Sequence, residues 1–381
     1  MLAAISFLVL APAQLEVGPG KSFPRIEAAL TAAKPGDTIK VFPDPSGYPK
    51  TALNIRKDRI KIEAAGEKVV LDGDGFVYSG EGATPRAIVQ FDPQAAGSSI
   101  KGFILKNAHN DSFNGSGVRI NGAPDVTIQD CEITGNDMGV MSNGATAVNQ
   151  KIDHCHIHHN GAPQDPGYNH NLYLGGWSVT VSRCEIHHAL TGHDLKSRAH
   201  FTMIQDCSLH DSANREIDLV EAEETAKPNS NAVILNCQIN KISNGGNGNT
   251  IHFGREKGTR NGTIYVIGTT IISESMAPIL TISDPSAMGS FQNSAFLSIK
   301  QAKPQFLGVL NGADTSALSG VENWIDLKYT GPETKSMRIQ TQELFPDVLS
   351  AILLKSVYLD GDGKKIEVQT TRGFHGKALW R

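Results

Sequence analysis

Six short segments of the sequence repeat one pattern and carry side chains that could do acid–base chemistry. They span residues 117–120, 139–142, 171–174, 194–197, 216–219 and 250–253. Their second residue is always Val, Leu or Ile and their fourth is mostly apolar, so alternation predicts that the first and third residues point outward. The third positions are Arg119, Met141, Tyr173, Lys196, Asp218 and His252. Equivalent residues of neighbouring parallel strands lie about 4.8 Å apart, which predicts one outward cluster.

β-Elimination from a uronic-acid polysaccharide would use such a cluster. The reaction needs a base to remove the proton next to the carboxylate, a cation to stabilise the resulting charge, and an acid for the leaving oxygen. Lys196 is either the base or, if it stays charged, the cation, with Tyr173 as the acid or as the proton-transfer group. The predicted catalytic residues are Lys196, Tyr173, Arg198, His252 and His193. The predicted substrate-binding residues are Asn171, His170, Arg215, Arg119 and Arg255.

The acidic residues of the same segments oppose the deprotonation that a lysine base requires. A lysine base needs its pKa lowered from about 10.4 to about 7–8, and neighbouring carboxylates act in the opposite direction. One alternative is a Ca²⁺ ion held by Asp194, Glu216 and Asp218 together with Asn171, because carboxylate and amide oxygens suit this ion. The other alternative is a permanently charged Lys196, with Tyr173 and a histidine transferring the proton.

The five cysteines indicate the architecture that would position these segments. Each cysteine precedes an Ile or Leu by two residues, and successive cysteines lie 23 to 30 residues apart. One apolar strand in every 20–30 residues is typical of a parallel β-solenoid, in which Cys131, Cys155, Cys184, Cys207 and Cys237 would form a buried ladder. His158, His187 and His210 share a later coil position, which favours a stacked histidine ladder over the alternative, a transition-metal site.

These repeats resemble the right-handed parallel β-helix proteins of the pectate-lyase-like superfamily over about residues 20–310. The resemblance rests on the repeated Val-x-Ile-x-x-Cys-x-Ile pattern and on an amphipathic segment, 22–34, followed by Pro35-Gly36-Asp37-Thr38-Ile39. It implies an all-β, right-handed parallel β-helix (solenoid) with a short N-terminal capping helix. We predict a signal peptide over 1–13, the β-helix over 14–310 and a C-terminal capping segment over 311–381.

The residues around Lys196 resemble a stretch of secreted β-helix proteins of the alginate-lyase type. The similar segments are Asn169-His-Asn-Leu-Tyr173, Gly192-His-Asp-Leu-Lys196-Ser-Arg198-Ala and Arg215-Glu-Ile-Asp218. The resemblance implies a polyuronate lyase with Lys196 and Tyr173 in its site. The sequence lacks the Arg-x-Pro-x-x-Arg signature of common pectate lyases and the Asp-Pro-His-Asp of alginate epimerases. Pectate is therefore the less favoured polymer, and the resemblance favours alginate.

Composition excludes several classes of protein and leaves others open. The 381 residues carry 35 Lys and Arg against 39 Asp and Glu, a formal charge of −4, which argues against a general nucleic-acid binder. The sequence contains no stretch of about 20 apolar residues, so no membrane-spanning helix is predicted. We expect a secreted or periplasmic monomer that acts on an acidic polysaccharide. The alternatives are a glycoside hydrolase using Asp194, Glu216 and Asp218, a mannuronan C5-epimerase, and a non-catalytic binding solenoid.

Overall fold

The computed structural model describes most of the chain. The described residues are 11–243, 246–300, 302, 304–313, 318–321, 323–325, 327, 337–338 and 354–370. Residues 1–10, which form most of the predicted signal peptide, lie outside them. Within the described part, no helix is long and apolar enough to cross a membrane.

Three long parallel sheets, here called sheets A, B and C, contain nearly all the described strands. Sheet A consists of Gln14–Val17, Thr38–Val41, Lys61–Ala64, Ser99–Lys101, Thr127–Gln129, Gln150–Asp153, Ser178–Ser182, Phe201–Gln205, Ala232–Leu235, Thr263–Ile267, Met288–Gln292 and Leu318–Val321. Sheet B consists of Tyr48–Pro49, Val69–Asp72, Phe103–Lys106, Glu132–Thr134, His156–His158, Glu185–His187, Ser208–His210, Gln238–Lys241, Thr270–Ser273, Ala295–Ser298, Asn323–Ile325 and Met337–Arg338. Sheet C consists of Leu53–Ile55, Ala87–Phe91, Ser116–Asn121, Met138–Asn143, Leu172–Leu174, Leu195–Ser197, Ile217–Leu219, Ile251–Phe253, Leu280–Ile282 and Leu307–Val309. Each coil adds one strand to each sheet, as the repeats predict.

The interior of the stack is built from columns of identical or similar apolar residues. In sheet A the register aligns Ile128, Ile152, Val181, Ile204 and Ile234 on successive strands, and all five are fully buried. Burial of one such side chain contributes about 1.5–3 kcal/mol. Strict alternation therefore fixes which residues face outward, because a shift of one residue would expose every column.

The predicted cysteine ladder is confirmed. All five cysteines are free and buried, and they follow the strands of sheet A at the bend into sheet B. The backbone N–H of Cys155 points at the Sγ atom of Cys184, 3.4 Å away, and that of Cys184 points at Cys207 Sγ at 3.5 Å. The same position continues as Thr269, Ser294 and Asn323, whose side-chain oxygens accept the equivalent N–H bonds.

Replacement of Cys155 by alanine should lower stability and leave chemistry untouched. The substitution removes a buried sulfur and leaves a cavity, which should cost about 1 kcal/mol or more of unfolding free energy. Urea unfolding of both proteins measures this difference. A variant with wild-type stability and a specific loss of catalysis would contradict the structural role.

A short helix and an additional strand cover the first coil. The helix Ile26–Ala32 is shorter than the predicted segment and buries Ile26, Ala29 and Leu30 against the stack. The strand Gln14–Val17 pairs with Thr38–Val41. This arrangement shields the apolar end of the solenoid from water, as terminal units of stacked repeats must.

The stack continues past residue 310, where the sequence pattern becomes weak. Leu318–Val321 and Asn323–Ile325 still extend sheets A and B. The antiparallel hairpin Leu354–Leu359 and Lys365–Thr370 packs on the outer side of sheet A, around a cluster that includes Tyr265 and Ile267. This part of the predicted C-terminal cap therefore covers the side of the solenoid. The other described residues of this segment are 311–313, 327, 337–338 and 360–364, and the rest of 311–381 lies outside the described part.

Candidate active site

The outer face of sheet C gathers the predicted third-position column. The strand register aligns Arg119, Met141, Tyr173, Lys196, Asp218 and His252 in this order. The side chains of Tyr173, Lys196 and Asp218 therefore stand on adjacent strands and on one face. The β-period of two is sufficient to place them there, since their neighbours in sequence are the buried core residues.

Asp218 is the centre of a dense charge cluster. Its Oδ2 atom lies 3.0 Å from Lys196 Nζ and 3.2 Å from His193 Nε2. Its Oδ1 atom lies 2.8 Å from His252 Nδ1 and 3.2 Å from Arg215 Nη1. Burial alone would raise the pKa of Asp218, but these neighbours outweigh it and hold the pKa well below its usual range. Asp218 is thus a fixed anion that orients the groups around it.

Glu256 bridges the two cations at the front of the cluster. One of its carboxylate oxygens lies 2.7 Å from Lys196 Nζ and the other 2.6 Å from Arg198 Nη2. The Arg198 Nε–H also donates to the phenolic oxygen of Tyr173 at 3.0 Å. The lysine and the arginine therefore hold one carboxylate between them, and the arginine links it to the tyrosine. Glu256 was not among the predicted site residues, because it lies in an irregular loop after the strand Ile251–Phe253 and carries no repeat signal.

The loop that presents Glu256 is held by a second acid. The carboxylate of Glu221 accepts backbone N–H bonds from Glu256, Lys257 and Gly258. Burial would raise the pKa of Glu221, but these three bonds lower it to about 2. Arg198 Nη1 donates to the carbonyl oxygen of Glu221 at 2.5 Å, so the same coil positions both the loop and the guanidinium.

Two stacked histidines form the neighbouring wall. The rings of His170 and His193 are 4.9 Å apart and nearly parallel. Each Nδ1 accepts a backbone N–H bond, from His193 and from Arg215 respectively, and burial lowers the pKa of both imidazoles. Their neutral tautomers therefore carry the proton on Nε2, which makes both rings hydrogen-bond donors rather than bases.

These groups open into a cleft of about 450 Å³. Its lining contains six of the predicted residues, namely His170, Tyr173, His193, Lys196, Arg198 and Arg215. Tyr168, which is 72% exposed, and Asn214 contribute to its walls. Positive side chains therefore dominate a cleft that also offers the phenolic hydroxyls of Tyr168 and Tyr173.

Four of the predicted catalytic and substrate-binding residues do not line this cleft. His252 lies behind Asp218, with its Nε2 atom 2.6 Å from Ser283 Oγ, so it positions Asp218 and does not face the opening. Arg255 donates to the carbonyl oxygen of Asn311. Arg119 lies two strands before Tyr173 and donates to Asn121 at 3.0 Å. The fourth residue, Asn171, is buried.

The expectation that the first positions point outward is wrong. Asn171, Asp194, Glu216 and Thr250 are fully buried, because each precedes its strand and lies in the bend from sheet B, where alternation does not apply. Asn171 Nδ2 donates to Asp194 Oδ1 at 2.9 Å. Burial beside Glu216 raises the pKa of Asp194 well above its usual range. A protonated Asp194 then donates to Glu216, whose charge is balanced by the buried Lys241 at 3.4 Å.

The predicted Ca²⁺ ligands do not fit that ion. Asp194 and Glu216 are committed to the internal ladder, while Asp218 stands on the other side of the strand among four nitrogen-bearing side chains. A site for Ca²⁺ needs six to eight oxygen ligands around one point. These three carboxylates do not converge in that way, so no step of the chemistry is assigned to Ca²⁺.

Comparison with known proteins identifies the fold. Residues 94–283 match the family model of the right handed beta helix region. The chain folds as a right-handed parallel β-helix. This β-helix resembles pectate lyase Pel9A, with 13% identity, a TM-score of 0.48, and coverage of 96% of this chain and 90% of that one. It also resembles pectin methylesterase from Aspergillus niger, with 14% identity, a TM-score of 0.40, and coverage of 81% and 88%.

Pectin methylesterase from carrot is a further similar structure. The two chains share 11% identity with a TM-score of 0.33, and the match covers 87% of this β-helix and 91% of the carrot protein. No curated protein matches the sequence. At these levels the similarity concerns the course of the chain, so the chemistry of the cleft is argued from its own residues.

Proposed function

We propose that this β-helix is a polysaccharide lyase that cleaves a uronic-acid polymer, with alginate favoured, by β-elimination. The observation that carries the proposal is the carboxylate of Glu256, held between Lys196 and Arg198 beside the hydroxyl of Tyr173. This cluster binds a carboxylate within the protein itself, and a uronate supplies the same group. Because such polymers lie outside the cytoplasm, we further propose a secreted or periplasmic protein.

Substrate binding would exchange one carboxylate for another. A uronate carboxylate that enters the cleft takes the place of Glu256 and pairs with Lys196 and Arg198. Glu256 belongs to an exposed loop segment, so it can move aside while Glu221 keeps the loop attached. Arg215 and the Nε2–H of His170 line the same cleft and are available to hold neighbouring sugars.

Lys196 acts as the charge neutraliser and not as the base. Its side-chain nitrogen lies 3.0 Å from the carboxylate of Asp218 and 2.7 Å from that of Glu256, so the site already uses it to bind carboxylates. When the proton leaves C5 of the uronate, negative charge develops on the carboxylate group, and a cation already in place stabilises it most. This assignment selects one of the two roles that the sequence permits.

Tyr173 is the proton-transfer group. Its oxygen accepts the Arg198 Nε–H bond, and the guanidinium stabilises negative charge on that oxygen. In the reaction the C5–H electrons form the C4=C5 double bond, the C4–O bond breaks, and the leaving oxygen takes a proton. Tyr173 in its phenolate form accepts the C5 proton, and the hydroxyl so formed delivers that proton to the leaving oxygen when both reacting atoms lie on the same side of the ring.

The carboxylates that the hydrolase alternative requires do not face the cleft. Asp194 and Glu216 are buried within the coil, and Asp218 is surrounded by Lys196, Arg215 and two histidines. A glycosidase needs two carboxyl groups that flank the scissile bond in the cleft. An epimerase would use the same proton abstraction, and it differs only in what happens to the intermediate.

The proposal is tested by the mass of the products. A lyase gives oligouronates that are lighter by one water than hydrolysis products, whereas an epimerase leaves the chain length unchanged. Mass spectrometry of alginate digests should therefore show the unsaturated series. Saturated oligomers, or an undigested polymer with altered uronate composition, would contradict β-elimination.

Chelation should leave the activity unchanged. Positive charge at the proposed carboxylate site comes from Lys196 and Arg198, and the acidic residues do not form a Ca²⁺ site. We expect initial rates after exhaustive EDTA dialysis to equal those of the untreated enzyme. A loss of activity that added Ca²⁺ restores would show that a metal ion takes part.

A further inference from the structure

The outer face of sheet B carries a second cluster of chemically active side chains. This cluster is separate from the proposed cleft, which lies on sheet C. The register there aligns Glu132, His156 and Glu185 in one column. The adjacent column contains Thr134, His158, His187 and His210. The predicted histidine ladder is thus present, with the rings of His158 and His187 stacked at 5.0 Å and those of His187 and His210 at 4.8 Å.

Stacking explains the spacing of the rings but not the direction of their nitrogens. Each of His156, His158 and His187 offers a ring nitrogen, and the three nitrogens lie within 4.8 Å of one another. The Nε2 atoms of His156 and His187 are only 2.8 Å apart. Two nitrogens bound to one tetrahedral zinc ion lie about 3.4 Å apart, so small side-chain rotations would convert this group into a set of metal ligands.

A carboxylate and an unsatisfied nitrogen complete the arrangement. Within the described part of the chain, the buried Nε2 atom of His158 has no hydrogen-bond partner. The Oε1 atom of Glu132 lies 3.4 Å from it. Buried polar atoms without a partner are uncommon in folded proteins, and a metal ion between these two groups would satisfy both.

We propose that His156, His158 and His187 bind a divalent transition-metal ion of the zinc class, with Glu132 as the fourth ligand. Three imidazoles and one carboxylate form a ligand set that zinc accepts. The ligands come from three consecutive strands of sheet B, so the ion links three coils of the solenoid. Because it binds only the folded chain, it should raise the melting temperature.

Zinc titration of the full-length protein tests the site. Zn²⁺ is distributed between the EDTA-stripped protein and a chromophoric chelator, and the number and affinity of tight sites are read from the absorbance. We expect His187→Ala to weaken one site at least about 100-fold and to abolish the zinc-dependent rise in melting temperature. The neighbouring group His188, His210 and Asp211 keeps its three residues in this variant, but it loses the contacts that His187 makes with His188 and His210.

Two further variants make the result decisive. His154→Ala removes a nearby imidazole that pairs with Asp130 and should keep wild-type zinc affinity. His156→Gln retains a polar side chain of similar size and should lose the site even if His187→Ala folds poorly. Equal zinc affinity in the wild type, His187→Ala and His156→Gln, or no tight binding by the wild type, would overturn the proposal.

Discussion

Replacement of Tyr173 by phenylalanine is expected to lower kcat on alginate by about 10³-fold, within the range of general acid–base contributions. The variant loses only the hydroxyl that accepts the Arg198 Nε–H bond. The ring keeps its place beside His170, with 5.5 Å between the two ring centroids, so KM should change little. Initial rates at saturating substrate measure the effect, and circular dichroism with thermal melting verifies the fold.

Tyr168→Phe is the matched control for this experiment. Tyr168 lines the same cleft but is 72% exposed, and the proposal gives it no proton to transfer. Its variant should retain kcat within a few-fold. A Tyr173→Phe enzyme with near wild-type kcat would show that another group moves the proton.

Replacement of Lys196 by alanine is expected to reduce kcat/KM by about 10²–10³-fold, the effect of removing one preorganised charge-stabilising group. The variant should still fold, because Arg215 remains paired with Asp218 and His193 and His252 keep their contacts with its carboxylate. Steady-state kinetics should show a fall in kcat as well as a rise in KM, since the cation acts mainly on the developing charge.

Two further lysine variants distinguish a specific role of Lys196 in catalysis from the loss of one positive charge anywhere in the protein. Lys151→Ala removes an exposed lysine of sheet A and should leave both kinetic constants unchanged. Lys196→Arg keeps the positive charge and should recover part of the lost rate, which a base role would not allow. Full activity in Lys196→Ala would remove this residue from the site.

Periodicity predicted the parts of the molecule that repeat. The column from Arg119 to His252 follows from the strict alternation of the sheet C strands, and the cysteine ladder follows from the constant interval to the next Ile or Leu. Both depend on local geometry that each coil reproduces. The right-handed parallel β-helix itself could be predicted for the same reason, because every coil carries the same apolar columns.

Features that occur once, or that lie in bends, escaped the same reasoning. Asp194 and Glu216 precede their strands, so the alternation rule gave them the wrong side. Their burial as a pair and the contact with Lys241 depend on the three-dimensional fold. Glu256 is brought to Lys196 across 60 residues by a loop without a repeat. The hairpin on sheet A depends on Tyr265 and other outward apolar residues whose partner lies far along the chain.

The most direct test of the central claim is the ultraviolet absorbance of the C4=C5 double bond during incubation with alginate. Polygalacturonate and a glucuronan serve as alternative polymers, and the Tyr173→Phe variant serves as the negative control. The proposal predicts a steady rise with the wild-type enzyme on a uronate polymer, alginate first, and almost none with the variant. Absence of any rise on all three polymers, with an intact fold, would contradict the assignment of this cleft to β-elimination.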